Sequence, residues 1–314
     1  MNRNIRKIRY KDREEWLELR KGLGLGGSEA AAALGLDEYK SPYALWAEKT
    51  GRVPGFDGNL TTRVGSYLEE LVARLWSEET GKKVRRENAI LVNPDYPCSF
   101  ADVDRLVVGE SALLECKTTS SLPVMRRVRG GEFPDRWYCQ MMHYMMVTGL
   151  DRAYLAVLVN GREFYHFTLE RDEDEIAAMA AAEQDFWECV QQDLPPALDG
   201  AEATGQALGE VYPGGLKETV ELPSYAGQME EIAALKKQIE VLSERREQLQ
   251  NEVKKGMGDC EKALCGKWSV SWAAQSKRTL DAKALQAAYP KLNLEPYYKT
   301  TTTRVFRATK KETV

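Results

Sequence analysis

The most constraining stretch of this chain is SFADVDRLVVGESALLECKTT, from Ser99 to Thr119. Branched and apolar residues recur along it at strand spacing, and a turn around Gly109 interrupts them where a chain must reverse. Two strands joined as a hairpin are expected, over 99–108 and 112–119. Residues two apart on a strand share a face, so Glu115 and Lys117 project together while Cys116 turns into the sheet. The reversal brings Asp104 beside them. Spacing alone favours a plain ion pair between adjacent strands. The apolar neighbours Val107, Leu113 and Leu114 shift the reading, because three charged groups on one face of a central hairpin are costly without a task. Two carboxylates and a lysine suit a hard divalent cation held through oxygen, with the ammonium orienting or activating a water.

Around this hairpin the hydrophobic period is helical. Residues 11–21 predict a short helix, and Gly22–Gly35 a glycine-rich turn feeding an alanine-rich helix that Ser28 opens. A further helix over 41–50 has Ser41 as cap and Pro42 at its first position. The strongest pattern lies over 61–80, with Val64, Leu68, Leu71, Val72 and Leu75 on one face and Gly81 as terminator. Residues 134–149 and 173–192 predict two more helices. AYLAVLV and EFYHFTL predict a strand pair turning at Asn160-Gly161. The fold class expected is mixed α/β, a central sheet flanked by helices.

Residues 1–198 are expected to form this unit, 199–224 a linker, and 225–314 a C-terminal extension. In the extension, Ile232, Leu235, Ile239, Leu242, Arg246, Leu249 and Val253 are spaced as a heptad seam, which fits packing on a second chain or on its own. The last part predicts strand, short helix and strand. Its Lys267, Trp268, Trp272, Lys277, Arg278, Tyr297, Tyr298, Arg304 and Arg307 suit either a single-strand binder or the aromatic core of a small β unit, with core favoured.

With 43% hydrophobic and 29% charged residues among 314, the chain has material for a packed core and is not disordered. No apolar run approaches a membrane span: Met141–Val147 is interrupted by His143 and Tyr144. The charged N-terminus is no secretory signal. Six scattered cysteines and two histidines argue against structural zinc or an iron–sulfur cluster, and point to a reduced, cytoplasmic protein. Net charge is −4 yet segregated: +4 over residues 1–21, −9 over 151–200 and +8 over 254–314. Local basic surfaces are therefore compatible with an acidic chain. Gly22, Gly24 and Gly27 satisfy GxGxxG, but a charged helix precedes them rather than a strand, so a dinucleotide site is not expected. Arg126, Arg127 and Arg129 form a basic cluster, expected on a loop before Gly130-Gly131 and suited to a DNA backbone.

The Asp-x(n)-Glu-x-Lys hairpin resembles the motif of PD-(D/E)xK nucleases. More specifically, the chain is similar to the YqaJ-like phage recombination nucleases, of lambda-exonuclease type. The segments that carry the likeness are WLELRKGLGLGGSEAAAALG, GSYLEELVARLW, FADVDRLVVGESALLECKTTS, and WYCQMMHYMMVTG with ERDEDEI after it. They span roughly residues 12–196.

The resemblance implies that Asp104, Glu115 and the Cys116 backbone carbonyl ligate Mg²⁺, with Mn²⁺ as a substitute. Glu69, four residues after Gly65, would complete the metal site. Lys117 would activate water, and Gln140 would contact the water or the scissile phosphate; Tyr138 and His143 are expected to pack nearby. Arg20 and Ser28 resemble a pair that grips a terminal 5′-phosphate, at a spacing one residue longer than the family's. The implied activity is 5′→3′ digestion of linear double-stranded DNA in a phage- or prophage-encoded recombination system. A single-strand annealing protein as partner and a homo-oligomer are implied with it. An endonuclease of the same fold, a non-catalytic DNA-binding assembly protein, and a C-terminal unit that is itself the functional centre are the rivals. The intact set Glu69, Asp104, Glu115 and Lys117 argues against the non-catalytic one.

Overall fold

Strand and helix signals alternate through the first two thirds of the chain and give way to one long helix. A computed structural model describes residues 4–56, 58–299 and 305–308. The chain divides into two units, Met1–Pro213 and Gly214–Val314.

The first unit opens with β1 (Arg6–Ile8), α1 (Arg13–Lys21), β2 (Leu25–Gly26), α2 (Gly27–Ala33), α3 (Pro42–Lys49) and α4 (Leu60–Thr80). There follow β3 (Val84–Arg85), β4 (Ile90–Val92), β5 (Ser99–Ala101), β6 (Arg105–Val107) and β7 (Ala112–Thr119). It closes with α5 (Leu122–Arg129), α6 (Asp135–Thr148), β8 (Arg152–Val159), β9 (Glu163–Glu170), α7 (Glu173–Gln191) and α8 (Glu202–Val211).

A five-stranded mixed sheet runs β3-β6-β7-β8-β9, with β7 and β8 parallel and the other pairs antiparallel. One face carries α6, where Leu113, Leu155 and Val157 meet Met141, Met142 and Met145. The other carries α4, where Leu114, Ala156 and Leu158 meet Val72 and Trp76. Helix α6 is buried almost all round, as expected of a helix that is apolar on every side. A smaller sheet, β1-β4-β5-β2, covers its far side.

Several local signals act as the sequence predicts. Ser41 Oγ accepts the Ala44 N–H at 3.2 Å with Pro42 beside it, Gly81 and Gly149 end their helices at positive φ, and Asn160-Gly161 turn the β8–β9 pair at positive φ. The stretch read as one strand over 99–108 is broken. Residues 99–101 pair in the small sheet and 105–107 in the large one, so Asp102-Val103-Asp104 is the crossing between sheets. Helix α4 buries Val72, Ala73 and Trp76, whereas Val64 and Leu71, expected on the same apolar face, are exposed. Ser28 is the second residue of α2, not its cap: Gly26 caps the helix, and its N–H donates to Glu29 at 3.0 Å. Gly24, at φ +108, lies so close to β5 that a Cβ would sit 2.0 Å from the Cys98 carbonyl oxygen. The glycine run is thus a close backbone approach between strands. The segment read as a linker contains α8, which packs on α3 through the cluster holding Ala207, Tyr43 and Phe186.

The second unit holds α9 (Ala226–Met257), a hairpin of β10 (Lys262–Cys265) and β11 (Trp268–Ser271), and α10 (Ala282–Ala288). Trp268, Trp272, Tyr297 and Tyr298 are exposed, so these aromatics do not form the expected core; Arg304 lies outside the described residues. Residues 305–308, expected as strand, carry none. No helix among the described residues is long and apolar enough to cross a membrane.

Candidate active site

The β6–β7 register pairs Arg105 with Leu114 and Leu106 with Leu113, and its continuation sets Asp104 opposite Glu115. Asp104 sits one residue before β6 begins, so the ladder stops there and its Oδ2 accepts the Cys116 N–H instead, at 2.8 Å. On an extended strand a residue's N–H and C=O point to the same edge, so the Cys116 carbonyl faces the Asp104 side. Glu115, Lys117 and Leu113 share the α6 face, where Gln140 ties the group together. Lys117 Nζ donates to Gln140 Oε1 at 2.8 Å and to Glu115 Oε1 at 2.7 Å. Gln140 Nε2 donates to the same Glu115 oxygen at 2.8 Å and to Tyr144 Oη at 3.0 Å.

This arrangement leaves a deficit of positive charge. The second Glu115 oxygen is buried without a hydrogen-bond partner. Burial, then the neighbouring Glu115 and Glu69 charges, push the Asp104 carboxyl well above the usual carboxylate range, against the pull of Lys117. Burial raises Glu115 too, with Lys117 opposing, and burial beside Asp104 raises the Cys116 thiol and holds it protonated. Carboxylates this close and this dry are stabilised either by a proton or by a bound cation. The donor set is all oxygen, which fits a hard divalent ion.

Glu69 reaches the cleft from the opposite face, on α4, and there forms an ion pair with the buried Arg105 guanidinium. Arg105 also meets Glu70 at 3.1 Å. Glu69 and Asp104 therefore line one cleft, Glu115 is buried behind it, and no cluster of three or more His, Cys, Asp or Glu is preformed among the described residues. The cleft, of about 440 Å³, is lined by Tyr10, Trp16, Ser66, Glu69, Asp102 and Asp104, among others.

Arg20 stacks on Trp16 at 4.3 Å and on Phe100 at 5.4 Å, beside the Gly26 cap of the helix that bears the exposed Ser28. That helix start already has an anion, since Glu29 accepts Gly26 N–H and Lys49 Nζ. The three arginines expected on a loop lie on α5, which Val124, Met125 and Val128 bury against the core. Arg127 pairs with Asp135, Arg129 with Glu163, and Arg126 is exposed.

Sequence reasoning missed Asp102, Trp16, Arg105 and Tyr144. Trp16 Nε1 donates to Asp102 at 2.5 Å, and burial raises that carboxyl. The alternation Asp102-Val103-Asp104 was the available signal.

The model of the YqaJ-like viral recombinase domain matches residues 15–151, which hold the whole constellation. The Bacillus subtilis protein YqaJ is 37% identical over 286 residues, 88% of each chain. The chain belongs to the YqaJ-like viral recombinase family. The match to YqaJ is longer than the first unit, so the kinship extends into the second. Among solved structures, an alkaline exonuclease from Laribacter hongkongensis matches with a TM-score of 0.51 at 20% identity, over 57% of this chain and 93% of that one. The same enzyme in complex with dAMP gives 0.50 at 21%, over the same shares. The first unit therefore shares the mixed α/β fold of that enzyme.

Proposed function

We propose that the protein is a divalent-metal-dependent deoxyribonuclease that digests linear double-stranded DNA from a 5′ end. The observation that carries this reading is the cluster of Asp104, Glu115, Lys117 and Gln140, in which Glu115 and Gln140 are buried and one Glu115 oxygen is left without a partner. Asp104, Glu115 and the Cys116 carbonyl would hold Mg²⁺, or Mn²⁺ in its place, and Glu69 would complete the set by leaving Arg105. The cation would supply positive charge where the scissile phosphate and its leaving 3′-oxygen become more negative. Lys117, fixed by Gln140 and Glu115, stands on the same face to orient the attacking water and ease loss of its proton. Gln140 holds both partners at once, so it sets the distance between carboxylate and ammonium.

Arg20, held flat between Trp16 and Phe100, and Ser28 are assigned to the terminal phosphate of the substrate. Arg126, with Arg127 and Arg129 behind it, is assigned to the duplex backbone. Membership of a viral recombinase family supports a role in phage or prophage recombination in the bacterial cytoplasm, where the exposed strand would pass to a single-strand annealing protein. The alkaline exonuclease of similar fold supports exonucleolytic rather than internal cleavage.

The test is digestion of linear duplex DNA carrying one 5′-phosphate, beside covalently closed circles, with Mg²⁺ and with EDTA, and with Lys117→Ala. Loss of the linear substrate alone, dependent on Mg²⁺ and Lys117, is the expected result. Cleavage of circles replaces the exonuclease reading with an endonuclease one. DNA binding without cleavage by the wild type overturns the catalytic reading.

A further inference from the structure

The second unit carries a surface that strand cleavage does not use. A groove of about 640 Å³ runs between the second half of α9 and the β10–β11 hairpin, with Leu249, Val253 and Trp272 among its walls. Arg246 sits within the apolar seam of α9 that borders this groove. By helical spacing, Arg245 and Lys254 flank the seam on either side.

The hairpin adds a row of rings. Cys265 pairs with Trp268 and Ala263 with Val270, and the Trp272 N–H donates to the Glu261 carbonyl at 2.9 Å, so the ladder runs on past β11. Trp268, Val270 and Trp272 therefore share one face, and at strand rise the two indoles stand about 13 Å apart. Trp268 is 69% exposed and Trp272 49%. Large rings left in water forgo the free energy of burial, and a patch of them marks a binding surface.

Charge selects the ligand. Residues 245–278 carry eight Lys/Arg and four Asp/Glu. In the first unit Arg52, Arg86, Arg129 and Arg152 are each held by a carboxylate. Among the eight cations here, Lys254 pairs with Glu247 at 3.0 Å, and the other seven, Arg246 included, form no ion pair with a described residue. A ligand that suits this face is anionic along its length and presents flat apolar groups between its charges. We infer that this face binds single-stranded DNA, with bases stacked on Trp272 and Trp268 and phosphates held by Arg245 and Arg246. A duplex keeps its bases stacked inside, and an acidic peptide has no regular series of rings to lay on indoles spaced along a strand. The source of the strand rests on the proposed nuclease reaction, which leaves one; the binding itself does not.

The experiment is titration of end-labelled oligo(dT) with the full chain in EDTA, read by fluorescence anisotropy over a range of salt. Binding is then measured whether or not the protein cleaves DNA. Trp272→Ala is expected to weaken binding about tenfold, and Trp268→Ala to weaken it in the same direction. Trp272→Phe should keep most of the affinity, because a ring is retained. Arg245→Gln with Arg246→Gln should lower the salt slope by about 1.4, the value for two phosphate contacts on a single strand. The same variants should leave affinity for a blunt duplex of equal length within a few fold. An oligo(dT) affinity indifferent to Trp272 and to both arginines overturns the inference, as does an equal loss for the duplex. Tighter binding of a Glu- and Leu-rich amphipathic peptide than of oligo(dT), lost in the same variants, assigns the face to an acidic protein and overturns it as well. A wild type that binds oligo(dT) as expected but cleaves no DNA with Mg²⁺ overturns the nuclease reading and leaves this site standing.

Discussion

Helix α6 carries two buried polar clusters three residues apart, and they differ in one respect. Gln140 meets Glu115 and Lys117, where a carboxylate oxygen has no partner and the neighbouring Asp104 carboxyl is raised by burial and like charge. His143, fully buried, faces Glu183 at 2.7 Å through Nδ1 and the Phe100 carbonyl at 2.8 Å through Nε2. Ser99 Oγ donates to the other Glu183 oxygen at 2.5 Å. Both His143 nitrogens meet acceptors, so the ring is held as the imidazolium. Burial pulls its affinity for a proton down, but Glu183 and the carbonyl outweigh that and raise it. The second cluster is complete and ties α6, α7 and β5 together. The first is incomplete, which is the state expected of a site awaiting a ligand.

The comparison is broken or sharpened by substitution on each side. Lys117→Ala is expected to lower DNA cleavage about 10³-fold or more, measured in single turnover at saturating Mg²⁺. His143→Gln should leave the rate per folded molecule within a few fold. A comparable loss in both would mean that the clusters are not distinct in role.

Stability should respond the other way. Glu183→Gln leaves a buried cation without its counter-ion, and a loss of about 3–5 kcal/mol is expected in urea unfolding at pH 6. The sign follows from the raised His143 value. Its contribution is whole below the ordinary histidine range and fades as pH climbs through the folded value. The wild type should therefore lose stability over that rise, and His143→Gln should not show the same decline.

Asp104→Asn is expected to stabilise the metal-free protein, by about 0.5–2 kcal/mol, because it removes a charge that folding disfavours. An acid whose folded value is raised costs stability above that value and nothing below its unfolded one. The gain should therefore be present at pH 8 in EDTA and absent near pH 3. Mg²⁺ should narrow that gap by raising the melting temperature of the wild type and not of Asp104→Asn. Equal shifts in both would place the cation elsewhere. The smallest effect is expected from Arg126→Ala, a few-fold loss of duplex affinity with a salt slope reduced by about one.

Much of the site was readable because a strand has a period of two. Glu115 and Lys117 share a face by spacing, and the turn at Gly109 returns Asp104 to them. The helix ends at Ser41, Gly81 and Gly149 were equally legible, since caps are local chemistry. The helix α5 had its own signal, Pro123 at the start and Gly130 at the end, which the arginine cluster obscured. Arg105 was not legible as a buried cation, because its burial depends on Glu69 and Glu70 arriving from a helix some 35 residues away. The same holds for Trp16 against Asp102, which are 86 residues apart.

By itself the sequence determined most of the helices, the caps at Ser41, Gly81 and Gly149, the turn that returns Asp104 to the next strand, and the shared face of Glu115 and Lys117, because each of these follows from neighbours along the chain. Only the tertiary structure decided that residues 99–107 change sheets at Asp102–Asp104, that Gln140 joins one cluster and His143 completes another, and that a Glu115 oxygen is left without a partner. Burial and hydrogen-bond satisfaction are sums over groups distant in sequence, and no local pattern carries them.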